Sequence, residues 1–160
     1  MTASDERWMR LALAGARRAA GRGEVPVGAV AVAGDTPVAA ATNRMEAARD
    51  ATAHAEMLCL RRASAVLRTW RLSDVTLYVT LEPCPMCASA LVLARLGRLV
   101  YAAADPKKGA DGSAYHLLEH PANNHRVRVT RGVLADEAAE LLAGFFAGLR
   151  RPDPDAPLVT

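Results

Sequence analysis

The stretch Pro83-Cys84-Pro85-Met86-Cys87 constrains this chain more than any other. It directly follows an apolar run, Thr76-Leu77-Tyr78-Val79-Thr80, that reads as a buried strand, and it opens a stretch carrying Leu91, Val92 and Leu96 at helical spacing. Prolines at the first helical positions cost little, because the N–H they lack has no intrahelical partner there. Two cysteines three apart at a helix start share one face, so both sulphurs can reach a common ion. A helix N-terminus favours negative charge, and both thiols are expected to deprotonate more readily there than in water. Only one further cysteine, Cys59, is present. An odd count with so close a pair fits a metal or redox site in a reduced compartment better than a disulfide framework.

The rest of the chain supplies the frame. Trp8, Leu11, Ala12 and Ala16 recur at helical spacing between Asp5 and Gly21, predicting a first amphipathic helix. Val27 to Ala33 and Pro37 to Ala41 are short apolar runs joined by Gly34-Asp35, a hairpin signal. A second helix should start near Ala51 to His54 and run through Leu58, Leu60 and Val66, and the third should extend from Pro83 to Gly97. Leu99-Val100-Tyr101 reads as another strand, Asp105 to Ser113 as a loop, Arg126 to Thr130 as a last strand and Leu134 to Leu149 as a last helix. Strands alternating with helices predict an α/β protein whose largely parallel or mixed sheet is covered on both faces.

At 160 residues with 51% hydrophobic content, one domain over 1–151 is expected, followed by a disordered tail at 152–160 with prolines at 152, 154 and 157. No apolar stretch approaches the roughly 20 residues of a membrane span, and no signal-peptide pattern precedes the first helix, so a soluble cytoplasmic protein is expected. A net charge of +3 permits an anionic partner without requiring one.

Upstream of the cysteines lies His54-Ala55-Glu56. One imidazole and two thiolates form a donor set suited to Zn²⁺, and three protein ligands leave a fourth tetrahedral position open, as in catalytic sites. Zinc lowers the pKa of bound water from 15.7 toward ~7, and a nearby carboxylate, here Glu56, can carry protons between that water and a substrate nitrogen. A Cys-x-x-Cys between strand and helix also describes a thioredoxin-like redox centre, a reading that the upstream His-x-Glu weakens. A closed structural zinc site would need a fourth ligand, and Cys59, five residues beyond His54, should point elsewhere as a buried core thiol.

Together, His54-Ala55-Glu56 and Pro83-Cys84-Pro85-Met86-Cys87 match the signature of zinc-dependent base deaminases. More closely, the chain resembles the bacterial tRNA adenosine deaminases, the TadA family. The likeness runs through Glu24-Val25-Pro26-Val27-Gly28-Ala29-Val30, Thr52-Ala53-His54-Ala55-Glu56 and Leu77 to Cys84. Asp105 to Ser113, His120-Pro121, Asn124-His125-Arg126-Val127, Gly132 to Glu137 and Phe145-Phe146 resemble the tRNA-editing branch in particular. The resemblance implies a three-layer α/β/α sandwich around a five-stranded mixed sheet, and one zinc ion per subunit on His54, Cys84 and Cys87. It implies Glu56 as proton shuttle, zinc-bound hydroxide as nucleophile, a homodimer, and the anticodon loop of an arginine tRNA as substrate, its wobble adenosine becoming inosine. Asn43 would then lie against the target nucleotide, with Asp105, Lys107, His120 and Asn124 lining the channel for the loop.

Each of these contact residues also has a plainer reading. Asn43 and Asp105 could be turn residues, and Lys107 with Lys108 a solvated pair. Ala104 stands where relatives tend to carry Arg, and Pro106 follows Asp105, so loop contacts to RNA should differ in detail. The alternatives for function are a deaminase of a free base, nucleoside or nucleotide of guanine or cytidine type, and a catalytically silent RNA-binding zinc module.

Overall fold

The computed structural model describes residues 2–149, so the expected tail at 152–160 lies outside the described residues. The chain runs α1 (Ala3–Ala20), β1 (Gly28–Ala33), β2 (Thr36–Thr42), α2 (Met45–Ala48), α3 (Ala55–Leu67), β3 (Val75–Leu81), α4 (Pro85–Leu93), β4 (Arg98–Ala103), β5 (Arg128–Thr130) and α5 (Ala135–Leu149). The five strands form one sheet in the order β2-β1-β3-β4-β5. β1 pairs antiparallel with β2 and with β3, while β3–β4 and β4–β5 are parallel, giving the expected mixed sheet.

Alternation along the strands sorts the core into two layers. Ala29, Ala31, Leu77, Val79, Leu99 and Tyr101 face Cys59, Leu60 and Ala63 of α3 and Ala88 and Leu91 of α4. The intervening Val30, Val32, Tyr78, Val100 and Ala102 face Trp8, Met9, Ala12 and Leu13 of α1 and Ala138 of α5. Helices therefore cover both faces. Gly28 is where α1 comes closest to the sheet, since a Cβ there would overlap the Ala12 carbonyl.

Besides the short α2, which the sequence reading lacks, three details depart from the sequence expectation. In α1 the inward stripe is Trp8, Met9, Ala12, Leu13 and Ala16, and Leu11 is exposed. Val66, expected inward on the second long helix, is also exposed. α4 ends at Leu93, not Gly97, because Arg95 turns left-handed (φ 55°) and the Leu96 N–H folds back to the Leu91 carbonyl. Leu96 is still fully buried, reaching the core from that turn.

Candidate active site

Two helix N-termini meet beyond the C-terminal end of β3, the central strand of the sheet. His54 is the N-cap of α3 and Cys84 the N-cap of α4, both with extended backbone and neither using its side chain to cap its own helix. For α3 that task falls to Asn43, whose Oδ1 accepts the Ala55 N–H at 2.9 Å and so leaves the His54 ring free to turn toward the cysteines. His54 Nδ1 lies 3.7 Å from Cys84 Sγ and 3.5 Å from Cys87 Sγ, and the three candidate ligand atoms fall within 4.8 Å of one another. A tetrahedral ion with bonds of about 2.0–2.3 Å spaces its ligand atoms by about 3.5–3.8 Å, so the group could hold a metal ion with little rearrangement.

Cys59 takes no part in the group. It is fully buried, with Sγ 3.7 Å from the Ala39 carbonyl, and burial pushes its thiol up to about 12. Among the described residues the group that could hold a metal ion therefore offers three protein ligands.

Electrostatics separate the two remaining thiols, correcting the expectation that both deprotonate easily. A hydrogen bond from Cys87, together with one from His54, brings Cys84 down to about 4. Cys87 is pushed strongly upward, because it donates its proton to Cys84, is buried, and faces the negative charges of Glu56 and Cys84. Two adjacent thiolates repel each other, and a cation between them is what would release the second proton. His54 is raised by its hydrogen bond with Cys84. Glu56, in the first turn of α3, is 4% exposed, and its burial raises its carboxyl above the ordinary carboxylate value.

His54, Glu56 and Cys84 line an open cavity of about 700 Å³, together with Asn43, 104–108 and Leu142 and Phe146 of α5. Of the expected substrate contacts, Asn43, Asp105 and Lys107 line it, and His120 and Asn124 do not. Asn43 is 5% exposed. Asp105 shapes its own loop, its Oδ1 accepting the N–H groups of Lys107 at 2.9 Å and Lys108 at 3.1 Å. His120 Nδ1 accepts the Ala122 N–H, and Asn124 accepts from Arg95; both residues are exposed.

Sequence reasoning passed over Glu82. Its carboxylate, 2% exposed, accepts the N–H groups of Asp105 (3.0 Å), Asp111 (2.9 Å) and Ser113 (3.3 Å) and the Ser113 hydroxyl. Gly109 lies so close above it that any Cβ would overlap the carboxylate. One buried charge thus ties the loop forming a cavity wall to the residue two before Cys84. The available signal was a carboxylate directly after an apolar strand, which is hard to bury unless it is heavily hydrogen-bonded.

Known proteins share this sequence pattern and fold. Residues 3–150 match the family model described as MafB19-like deaminase. The chain is 46% identical over 147 residues to the tRNA-specific adenosine deaminase of Bacillus subtilis, covering 92% of this chain and 91% of that one. It is 45% identical over 145 residues to the tRNA-specific adenosine deaminase of Aquifex aeolicus, covering 91% and 95%. A structure from a study of A-to-I editing by tRNA:A34 deaminases at the wobble position superposes with a TM-score of 0.82 at 45% identity, covering 85% of this chain and 99% of that one. The guanine deaminase of Nitrosomonas europaea superposes with a TM-score of 0.78 at 28% identity, covering 89% and 84%. The chain belongs to the MafB19-like deaminases and, within them, to the family of tRNA-specific adenosine deaminases.

Proposed function

We propose that this protein hydrolytically deaminates the wobble adenosine of a tRNA anticodon, that of an arginine tRNA, to inosine. The observation that carries the reading is the 45–46% identity to tRNA-specific adenosine deaminases over some nine-tenths of both chains, against 28% to a guanine deaminase of similar fold.

In this reading His54, Cys84 and Cys87 hold one Zn²⁺ per subunit, supported by their donor set and spacing. Bound there, zinc supplies Lewis acidity that brings a water's pKa from 15.7 toward about 7. Glu56 takes one proton as the water oxygen bonds to C6 and passes it to the purine N1, then takes the second from the new C6 hydroxyl and passes it to the amine. The C6–N bond then breaks, leaving inosine and ammonia. Its burial beside His54 suits this work, because a carboxyl raised above its usual range holds a proton more readily than an exposed one and so can take and return it. Asn43 orients the nucleotide from the cavity wall, and Asp105 and Lys107 border the path of the flanking loop. His120 and Asn124 lie outside this cavity, and Asn124 is held by Arg95 beyond the C-terminal end of α4.

We infer further that the enzyme is a cytoplasmic homodimer. Val66, Trp70 and Leu93 expose apolar surface at the C-terminal ends of α3 and α4, where the Leu72 N–H bonds the Ala94 carbonyl, and so offer a pairing face. Among the described residues no helix is long and apolar enough to cross a membrane.

The test is incubation of the zinc-loaded protein with an arginine tRNA anticodon stem-loop carrying wobble adenosine, beside free guanine and cytidine. Nucleoside mass spectrometry reads the products. Inosine from the stem-loop alone is expected. Product from guanine or cytidine alone would keep the site chemistry and replace the substrate, an outcome the guanine-deaminase likeness makes the leading rival. Silence on all three would favour a non-catalytic module. Glu56→Ala should keep its zinc and lose turnover; loss of the metal in that variant would contradict the role given to Glu56.

A further inference from the structure

A second cavity, of about 470 Å³, lies between α1, the outer edge of β2 and α3. Four arginines line it: Arg18, Arg22, Arg44 and Arg62. Its single carboxylate, Glu24, is 2% exposed and already engaged, accepting the Glu46 N–H at 3.3 Å and the Ala47 N–H at 2.8 Å.

The four guanidinium groups differ from the carboxylate-paired arginines of the fold. Arg10, Arg17, Arg98 and Arg131 each meet a carboxylate within 4.0 Å, whereas among the described residues none of these four does. Arg22 instead donates to the Thr42 hydroxyl at 2.9 Å, and Arg62 to the Ala40 carbonyl on the free edge of β2. Arg18 reaches over Gly15, where its guanidinium comes within 3.8 Å of the position a Cβ would occupy. The anchors of Arg22 and Arg62 are neutral, so these two side chains are held in place while their charge is not compensated. Guanidinium forks fixed in this way suit phosphate oxygens.

Position adds the second half of the argument. Arg44 lies between Asn43 and Met45, both of which line the active cavity, so the arginine groove starts at that cavity's rim. A strand with one nucleotide in the cavity must carry its neighbouring phosphates past that rim.

We propose that the groove of Arg18, Arg22, Arg44 and Arg62 binds backbone phosphates of the substrate RNA outside the nucleotide that is deaminated. The inference rests on the RNA-editing reading above. Each phosphate neutralised along a single strand contributes about 0.7 to the slope of log affinity against log salt.

The experiment compares zinc-loaded wild type with Arg18→Ala/Arg22→Ala for binding of the anticodon stem-loop across a salt series. The charge-matched control is Arg7→Ala/Arg10→Ala, which removes two carboxylate-paired arginines from α1. Zinc content and Tm of each variant verify that it folds. The groove variant is expected to bind about 5- to 30-fold more weakly near 0.1 M salt, with a slope shallower by about 0.7–1.4, and the control to stay near wild type. Equal affinity and slope in the groove variant, while wild type binds the stem-loop, would overturn the groove and leave the editing reading standing. Failure of wild type itself to bind or deaminate the stem-loop would overturn both, and that arm identifies the editing reading as the cause. If inorganic pyrophosphate binds wild type and not the groove variant while RNA affinity is equal in the two, the groove serves a free anion and the proposal fails.

Discussion

Replacing Glu82 with Gln keeps the side chain's size while removing its charge and half of its accepting capacity. In the native fold one carboxylate oxygen accepts from Asp111 N and Ser113 N, and the other from Asp105 N and the Ser113 hydroxyl. A glutamine can place its carbonyl on the first pair, but its NH₂ then confronts the Asp105 N–H, although the Ser113 hydroxyl can rotate to accept. One buried donor left unsatisfied costs about 1–3 kcal/mol, and the surviving bonds lose the extra strength of a charged acceptor, so the variant should be about 2–4 kcal/mol less stable. Urea unfolding measures this directly, and hydrogen exchange should show the amides of 105, 111 and 113 losing protection. Because 104–108 wall the active cavity, KM should rise more than kcat falls. Burial alone would raise the Glu82 carboxyl, but the Ser113 hydroxyl and the three amides hold it below the usual 4.5. A depressed folded-state pKa contributes stability that is complete above the unfolded value and disappears as pH falls through the folded one. The gap between wild type and Glu82→Gln should therefore stay constant above about pH 4.5 and close only below it. A variant within about 0.5 kcal/mol of wild type, with the three amides still protected, would refute this account of the loop.

Other perturbations follow from the same geometry. Asp5 is buried, which alone would raise it, yet hydrogen bonds from Arg98 and Thr2 lower it to about 2. Its contribution, about 2 kcal/mol, should be present above pH 3.8 and lost toward pH 2, and Asp5→Ala, which strands Arg98, should cost about 3–5 kcal/mol in denaturant titrations. Gly28→Ala drives a methyl into the Ala12 carbonyl and should cost about 3 kcal/mol or more, read as a fall in Tm. Cys59→Ala should keep its full metal content by elemental analysis while losing about 1–2 kcal/mol of packing, and metal loss would reinstate Cys59 as a ligand.

What the sequence disclosed depended on how local the cause was. The pair Cys84 and Cys87 and the motif His54-Ala55-Glu56 were legible because each is a short pattern at a helix start, and the fold needs only to bring the two starts together. Most strands were legible as short apolar runs bounded by turn residues, and a sheet covered on both faces followed from their alternation with helices. The four-residue α2 was missed because its N-terminal amides are met by Glu24, more than twenty residues earlier in the chain. Leu11 and Val66 misled because an apolar side chain at helical spacing does not reveal how wide the buried stripe is. Glu82 and the arginine groove were hidden for a related reason. The partners of Glu82 lie 23 to 31 residues downstream, and the four arginines belong to four separate segments that meet only around the edge of β2.

The two borders of the sheet bear on how copies of the protein can associate. β5 offers only three residues, too few to template another strand. β2 is longer, but Pro37 removes one donor, the pairing with β1 shifts register between Ala31 and Val32, and Arg62 occupies the Ala40 carbonyl. Strand-by-strand growth is therefore blocked at both ends. Concentrated protein should stay dispersed without forming fibrils, and an assembly of two chains should join through helix surfaces, leaving two separate five-stranded sheets instead of one continuous sheet of ten.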